Sequence, residues 1–267
     1  MLNSIAFLGN NRRPPASKVQ PNGASHEEAD NFDDNALAWF EAFKRAPPGS
    51  PLRERGLGTV PDLVAGFRAD VVADTLPRVS WLVAPPAYSE HPGNASPPSG
   101  AHLTRRLLEA LAANPEVARS TVFMLTYDEN GGFFDHVPPP TPPAGTPGEF
   151  VFGLPIGLGA RVPMILISPW TRGGYVCSQT FDHTSILRFL EQWTGVPEPN
   201  LSAWRRQVCG DLTAAFAFNA PDYTLPVLPD VAPVLCGRGH HPAVPTRQRE
   251  PTQEPGTRPS RPPPQSR

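Results

Sequence analysis

Residues 122–127, Val-Phe-Met-Leu-Thr-Tyr, form an unbroken apolar and β-branched run that is too short for a buried helix. Such a run predicts a strand covered on both faces. Residues 79–84 and 162–168 read as two further strands. Between them the apolar spacing turns helical. Leu103, Leu107, Leu108 and Leu111 share one stripe that ends at Asn114-Pro115. Ile186, Leu187, Leu190 and Trp193 share another, behind Asp182 as a cap. Upstream, Asp34 heads a stripe of Leu37, Trp39, Phe40 and Phe43 closed by Pro47-Pro48-Gly49, and Pro61 opens one with Val64, Phe67 and Val71 that Pro77 stops. Strand, turn and helix in repetition select an α/β sheet with helices on both faces. Across residues 79–127 a right-handed crossover would make the two strands parallel, with both outgoing loops on one sheet edge. No internal repeat at a solenoid period occurs.

The candidate chemistry sits on that edge. Asp128 and Glu129 follow the strand directly, in the crevice where open parallel sheets bind ligands. Gly131 and Gly132 free the backbone to turn, and Phe133, Phe134, Asp135 and His136 follow before three prolines. His91, in the loop after the first strand, belongs on the same side. An acidic pair with a nearby histidine points to a hard cation bound through oxygen, to acid/base work, or to both. His136 is taken with His91 as substrate-facing. Asp135 and His136 stay open between steadying the acidic pair by hydrogen bonds and only closing the turn. His183 is read as structural, next to the cap. Ser89, Ser168 and Ser185 lack a G-x-S-x-G context, so none is assigned as a nucleophile. Trp81, Trp170 and Trp193 are expected in the core.

Composition narrows the picture. The chain has 267 residues, of which 39% are hydrophobic, enough for one domain at residues 34–230. Residues 1–33 and the Pro/Arg-rich stretch 231–267 carry no periodic apolar stripe and are expected to be irregular or disordered. The polyproline-like end is read as an inert tail. A net charge of −2 supports neither nucleic acid nor an anionic membrane surface as partner, and no protein partner is identifiable. No segment has membrane-spanning length. The start lacks a signal-peptide pattern, so the chain as given is expected in the cytoplasm. Cys177, Cys209 and Cys236 give no C-x-x-C, and a Cys177–Cys209 pair is left open.

Several stretches together resemble the bacterial phosphocholine-specific phospholipase C and acid phosphatase family. They are Tyr127-Asp-Glu-Asn-Gly-Gly-Phe-Phe-Asp-His-Val-Pro-Pro-Pro140, Val79-Ser-Trp-Leu-Val-Ala-Pro85 with Tyr88-Ser-Glu-His-Pro92, Arg161-Val-Pro-Met164 with Ile167-Ser-Pro-Trp170, and Phe181-Asp-His-Thr-Ser-Ile-Leu-Arg-Phe-Leu-Glu191. Trp204-Arg-Arg and Cys209-Gly-Asp-Leu-Thr213 extend the match. The resemblance implies an alkaline-phosphatase-like, mainly parallel sheet and metal-assisted hydrolysis of phosphate esters. Phosphatidylcholine cleaved to diacylglycerol and phosphocholine is the leading expectation, and a phosphomonoesterase or a noncatalytic remnant are the alternatives. By the same resemblance Asp128 and Glu129 ligate a divalent metal ion of unknown identity, and His91 contacts the phosphoryl group. Complete members are secreted or periplasmic. They also carry an E-N-R-S-F-D-H-like motif near their N-terminus and a metal-ligating Ser or Thr nucleophile. Neither is found here, so the chain is expected to be an N-terminally truncated catalytic domain with weak metal affinity.

Overall fold

The computed structural model describes residues 2–8, 17–20, 37, 40–57, 60, 62–91, 95–171 and 173–229. These all belong to one compact unit, residues 1–235. The tail 231–267, Asp34, Trp39 and Cys236 lie outside the described residues.

Two short helices, α1 (Glu41–Lys44) and α2 (Pro51–Gly56), open the helical part. The first begins later than the stripe from Asp34 implies. The second follows Ser50, whose side chain accepts from the Arg53 amide, with Pro51 at the first helical position, where no amide is needed. Helix α3 (Leu63–Val72) is capped by Asp62, whose Oδ1 accepts from the Ala65 amide at 2.9 Å, and it buries Leu63, Val64, Phe67 and Val71. Helices α4 (Pro97–Ala112) and α5 (Pro115–Ala118) meet at Asn114, whose Nδ2 donates to the Val71 carbonyl at 3.1 Å and ties this pair to α3. Helix α6 (His183–Thr194) carries a capping box of Asp182 with Ser185 and ends at Gly195, φ 73°. Helix α7 (Ala203–Val208) completes the series. No helix among the described residues is long and apolar enough to cross a membrane.

The main sheet has five strands: β1 (Leu2–Leu8), β2 (Ser17–Gln20), β3 (Val79–Val83), β4 (Thr121–Tyr127) and β7 (Met164–Ile167). Their order is β2-β3-β1-β4-β7. Strands β5 (Phe150–Val151) and β6 (Leu154–Pro155) form a separate hairpin. Within the main sheet β2 pairs parallel with β3, while β1 pairs antiparallel with both β3 and β4, and β7 antiparallel with β4. The sheet is therefore mixed, and its pairings are not mainly parallel. Because β3 and β4 both oppose β1, they run in one direction and their outgoing loops leave the same edge. The expectation of an irregular N-terminus does not hold for Leu2–Leu8 and Ser17–Gln20. The mostly apolar Leu-Asn-Ser-Ile-Ala-Phe-Leu segment finds two strands to pair with, a tertiary gain that local composition does not display.

Side-chain alternation divides the core into two layers. Leu82, Phe123 and Leu125 face Phe67, Val71, Leu103, Leu107 and Leu111 of α3 and α4. Val122 and Met124 face Ile186 and Phe189 of α6, with Trp81, Trp170 and Trp193 packed at the margin. Helices thus cover both faces, as the sequence pattern implies. Phe67, Phe123 and Met124 are fully buried, and each such side chain contributes about 1.5–3 kcal/mol relative to exposure.

Candidate active site

The loop leaving β3 is fixed by Ser89, which is buried; its hydroxyl donates to the Pro86 carbonyl at 3.0 Å and accepts from the His91 amide at 3.2 Å. The neighbouring Glu90 takes φ 59°. At the end of β4 the Tyr127 hydroxyl donates to Glu90 Oε2 at 2.6 Å, so the two strand exits are joined by a side-chain bond. Burial raises the Glu90 carboxyl above its ordinary pKa, against the opposing effect of the Tyr127 hydrogen bond. The phenol is likewise raised by burial and by the adjacent carboxylate.

Beyond Tyr127 the chain turns through Asp128, which is half-buried, and Glu129, which is exposed. Glu129 Oε2 accepts from the Gly131 amide at 2.8 Å, and Gly131 and Gly132 have φ 61° and 72°, which allow this turn. Asn130 closes it from inside, donating through Nδ2 to the Phe133 carbonyl at 2.6 Å. Asp135 then holds Arg161 in a two-pronged contact, accepting from Nη2 at 2.8 Å and Nε at 2.9 Å, and also accepts from the Arg161 amide. These donors hold the Asp135 carboxyl well below the usual carboxylate range. Asp135 thus forms a clamp that joins the glycine turn to the segment entering β7.

The clamp and the two strand exits border an open cleft of about 620 Å³. Glu90 and Tyr127 form part of its wall; Glu129, Phe133, Phe134, His136 and Arg161 also line it. Phe133 and Phe134 are 73% and 82% exposed, so their rings form an apolar lip. Of the residues singled out from sequence, Glu129, Asp135 and His136 line this cleft. His91 follows the lining residue Glu90 and Asp128 precedes Glu129, both at the same sheet edge, and neither is part of the lining.

The chain matches the Phosphoesterase family over residues 18–197. The chain belongs to the phosphoesterase family. It is 49% identical over 225 residues to the non-hemolytic phospholipase C of Pseudomonas aeruginosa, a match that covers 76% of this chain and 32% of that protein. To the hemolytic phospholipase C of the same organism it is 50% identical over 216 residues, covering 74% and 29%. To phospholipase C A of Mycobacterium tuberculosis it is 44% identical over 248 residues, covering 80% and 47%. The chain therefore spans less than half the length of each of these relatives.

Among the described residues no three His, Cys, Asp or Glu side chains come together as a metal group. Asp128 and Glu129 contribute two carboxylates where a hard cation takes roughly six oxygens, so the described residues do not complete a shell. The three serines considered from sequence are committed elsewhere: Ser89 to its turn, Ser168 to Thr171 Oγ1 at 3.0 Å, and Ser185 to the α6 cap. Cys177 is exposed and Cys209 buried, both as free thiols, so the pair left open from sequence does not form. Burial, with Asp182 close by, pushes the Cys209 thiol up to about 12.

Sequence reasoning missed three lining residues, Glu90, Tyr127 and Arg161, as functional groups. Arg161 had a signal, since it follows Gly157-Leu-Gly-Ala and directly precedes a strand. It also missed the support behind the cleft. Arg205 donates to Glu149 from Nε at 2.8 Å and Nη2 at 3.0 Å, to Asp182 from Nη1 at 2.6 Å, and to the Gly157 carbonyl at 2.9 Å. This cluster anchors the segment that presents Arg161. His183, read as structural, donates from Nε2 to the Tyr127 carbonyl at 2.8 Å and so ties α6 to the end of β4.

Proposed function

We propose that the cleft binds the headgroup phosphodiester of a phospholipid, and that the protein is a hydrolase of the phospholipase C type whose partial catalytic domain is residues 34–230. In the net reaction, water supplies an oxygen to phosphorus, the phosphorus–oxygen bond to glycerol breaks, and the departing diacylglycerol oxygen takes the proton. Phosphocholine is the headgroup product this reading favours. One observation carries it: a guanidinium, Arg161, shares a cleft with two aromatic rings, Phe133 and Phe134, and a carboxylate, Glu129. Phosphocholine has the matching pair of charges. Its phosphate suits the N–H groups of arginine, and its trimethylammonium suits ring faces beside a negative charge. The clamp uses Nε and Nη2 of Arg161 and leaves Nη1 outside it.

The same reading assigns Asp128 and Glu129 as contacts of a divalent cation, and His91 to the phosphoryl oxygens. It also takes the shared direction of β2, β3 and β4, with helices on both faces, as the local part of an alkaline-phosphatase-like sheet. A second reading, of a noncatalytic chain, has its own support in the incomplete ligand set and the committed serines. The test compares release of p-nitrophenol from p-nitrophenyl phosphocholine, a diester, and from p-nitrophenyl phosphate, a monoester, with Mn²⁺ added. Slow turnover of the diester in preference to the monoester, abolished in Asp128→Asn, is the expected result. Preference for the monoester would replace the phospholipase reading with a phosphatase. Phosphocholine binding without turnover of either substrate would favour the noncatalytic chain.

A further inference from the structure

The wall of the cleft contains one carboxylate to which the proposed function gives no role. Glu90 has a left-handed backbone, φ 59°, which non-glycine residues adopt only when their surroundings impose it. One of its oxygens is hydrogen-bonded within the wall and the other lies close against it. Oε2 takes the Tyr127 hydroxyl at 2.6 Å, and Oε1 lies over Gly100 in the first turns of α4. A methyl group at residue 100 would fall 2.0 Å from Oε1 and 2.4 Å from Cγ, so Glu90 can occupy this place only because residue 100 is glycine. Glu90 directly precedes His91, and Tyr127 directly precedes Asp128 and Glu129. The Tyr127 carbonyl is itself held by His183. Four elements therefore converge on the pair: the β3 exit, the β4 exit, α4 and α6.

We propose that Glu90 is a positioning residue, a brace that acts through Tyr127 to hold the β3 and β4 exits at a fixed spacing, with Gly100 as its seat. The brace rests on the reading of the cleft as a phosphocholine site, because the spacing it fixes is that between His91 and the acidic turn. In this role the carboxylate acts through the tyrosine and not on the ligand. What it supplies is the constancy of the groups that do.

Calorimetric titration with phosphocholine tests this on the full chain and on Glu90→Ala, Glu90→Gln, Tyr127→Phe and Gly100→Ala. Glutamine keeps an oxygen that accepts from the tyrosine hydroxyl, so Glu90→Gln should bind within about twofold of the wild type. The other three should lose about tenfold or more, the size of one hydrogen bond to a charged group. Retention of binding by the conservative Glu90→Gln variant, beside its loss in Glu90→Ala, is a signature that general destabilisation does not produce. Two results would overturn the brace: Glu90→Ala binding as the wild type does, or Glu90→Gln falling as far as Glu90→Ala, which would make the charge a ligand contact. A wild-type chain that binds no phosphocholine would overturn the functional reading, and this one with it.

Discussion

Single carboxylates in this protein differ mainly in who holds them. Glu191 accepts from both terminal nitrogens of Arg206 at 2.8 Å and from the Glu198 amide at 2.6 Å, and these bonds hold its carboxyl down to about 2 from an ordinary 4.5. Because the folded value lies below the unfolded one, the stabilisation is fully present above about pH 4.5. It fades as pH falls toward 2. Urea midpoints measured across that interval should drop in the wild type and drop less in Glu191→Gln, which has no such proton to take up. Equal slopes would show that Asp135, held down by Arg161, or other acids dominate the acid limb. At this scale the sequence displayed the acidic turn, since Asp128-Glu129 sits between a strand and two glycines. It hid Glu90, because nothing in Tyr88-Ser-Glu-His announces that a side chain will cross to residue 127.

Elements with strong periodicity were legible. The stripe of α4 and the continuous run of β4 place their buried faces where the structure has them, whereas α6 buries Ile186 of its expected stripe together with Ser185 and Phe189, and leaves Leu187, Leu190 and Trp193 half-buried. The hairpin of β5 and β6 was not, because its two-residue turn is Phe152-Gly153 with φ of 51° and 78°. Both positions need positive φ, and the usual Asn or Asp signal is replaced by a phenylalanine. What fastens these weakly signalled segments is the Arg205 cluster. Glu149 is 1% exposed, and it accepts from Ser202 as well as Arg205. Glu149→Gln would leave Arg205 short of one buried counter-charge and should cost about 3 kcal/mol in equilibrium unfolding. Asp182→Ala removes a cap together with the second partner and should also be costly, by about 1 kcal/mol for the cap alone. A change under about 0.5 kcal/mol in Glu149→Gln would show that Asp182 suffices.

The molecule as a whole depends on a strand that composition alone would discard. Strand β1 lies between β3 and β4, and its full length from Leu2 to Leu8 pairs with β4 from Tyr127 to Thr121. Its removal would leave two facing edges unpaired in the middle of the sheet. Deleting residues 1–8 should therefore speed amide exchange in β3 and β4 and promote self-association on size exclusion. A monomer with unchanged exchange would mean that β3 and β4 close on each other directly. Sequence spacing did establish the shared direction of those two strands, and hence the single edge that carries the cleft. It could not show the intervening strand, because pairing partners far apart in the chain leave no local trace.

The Arg205 cluster also sets an order of events. Glu149, Asp182 and Arg205 come from three segments separated by more than twenty residues at each step, so their bonds form only after all three have docked. Where that docking follows the folding transition state, losing these bonds acts on the rate of leaving the native state. Glu149→Gln should then unfold many times faster while folding at nearly the wild-type rate. The lifetime of the folded cleft, more than the ease of making it, is what this half-buried arginine governs.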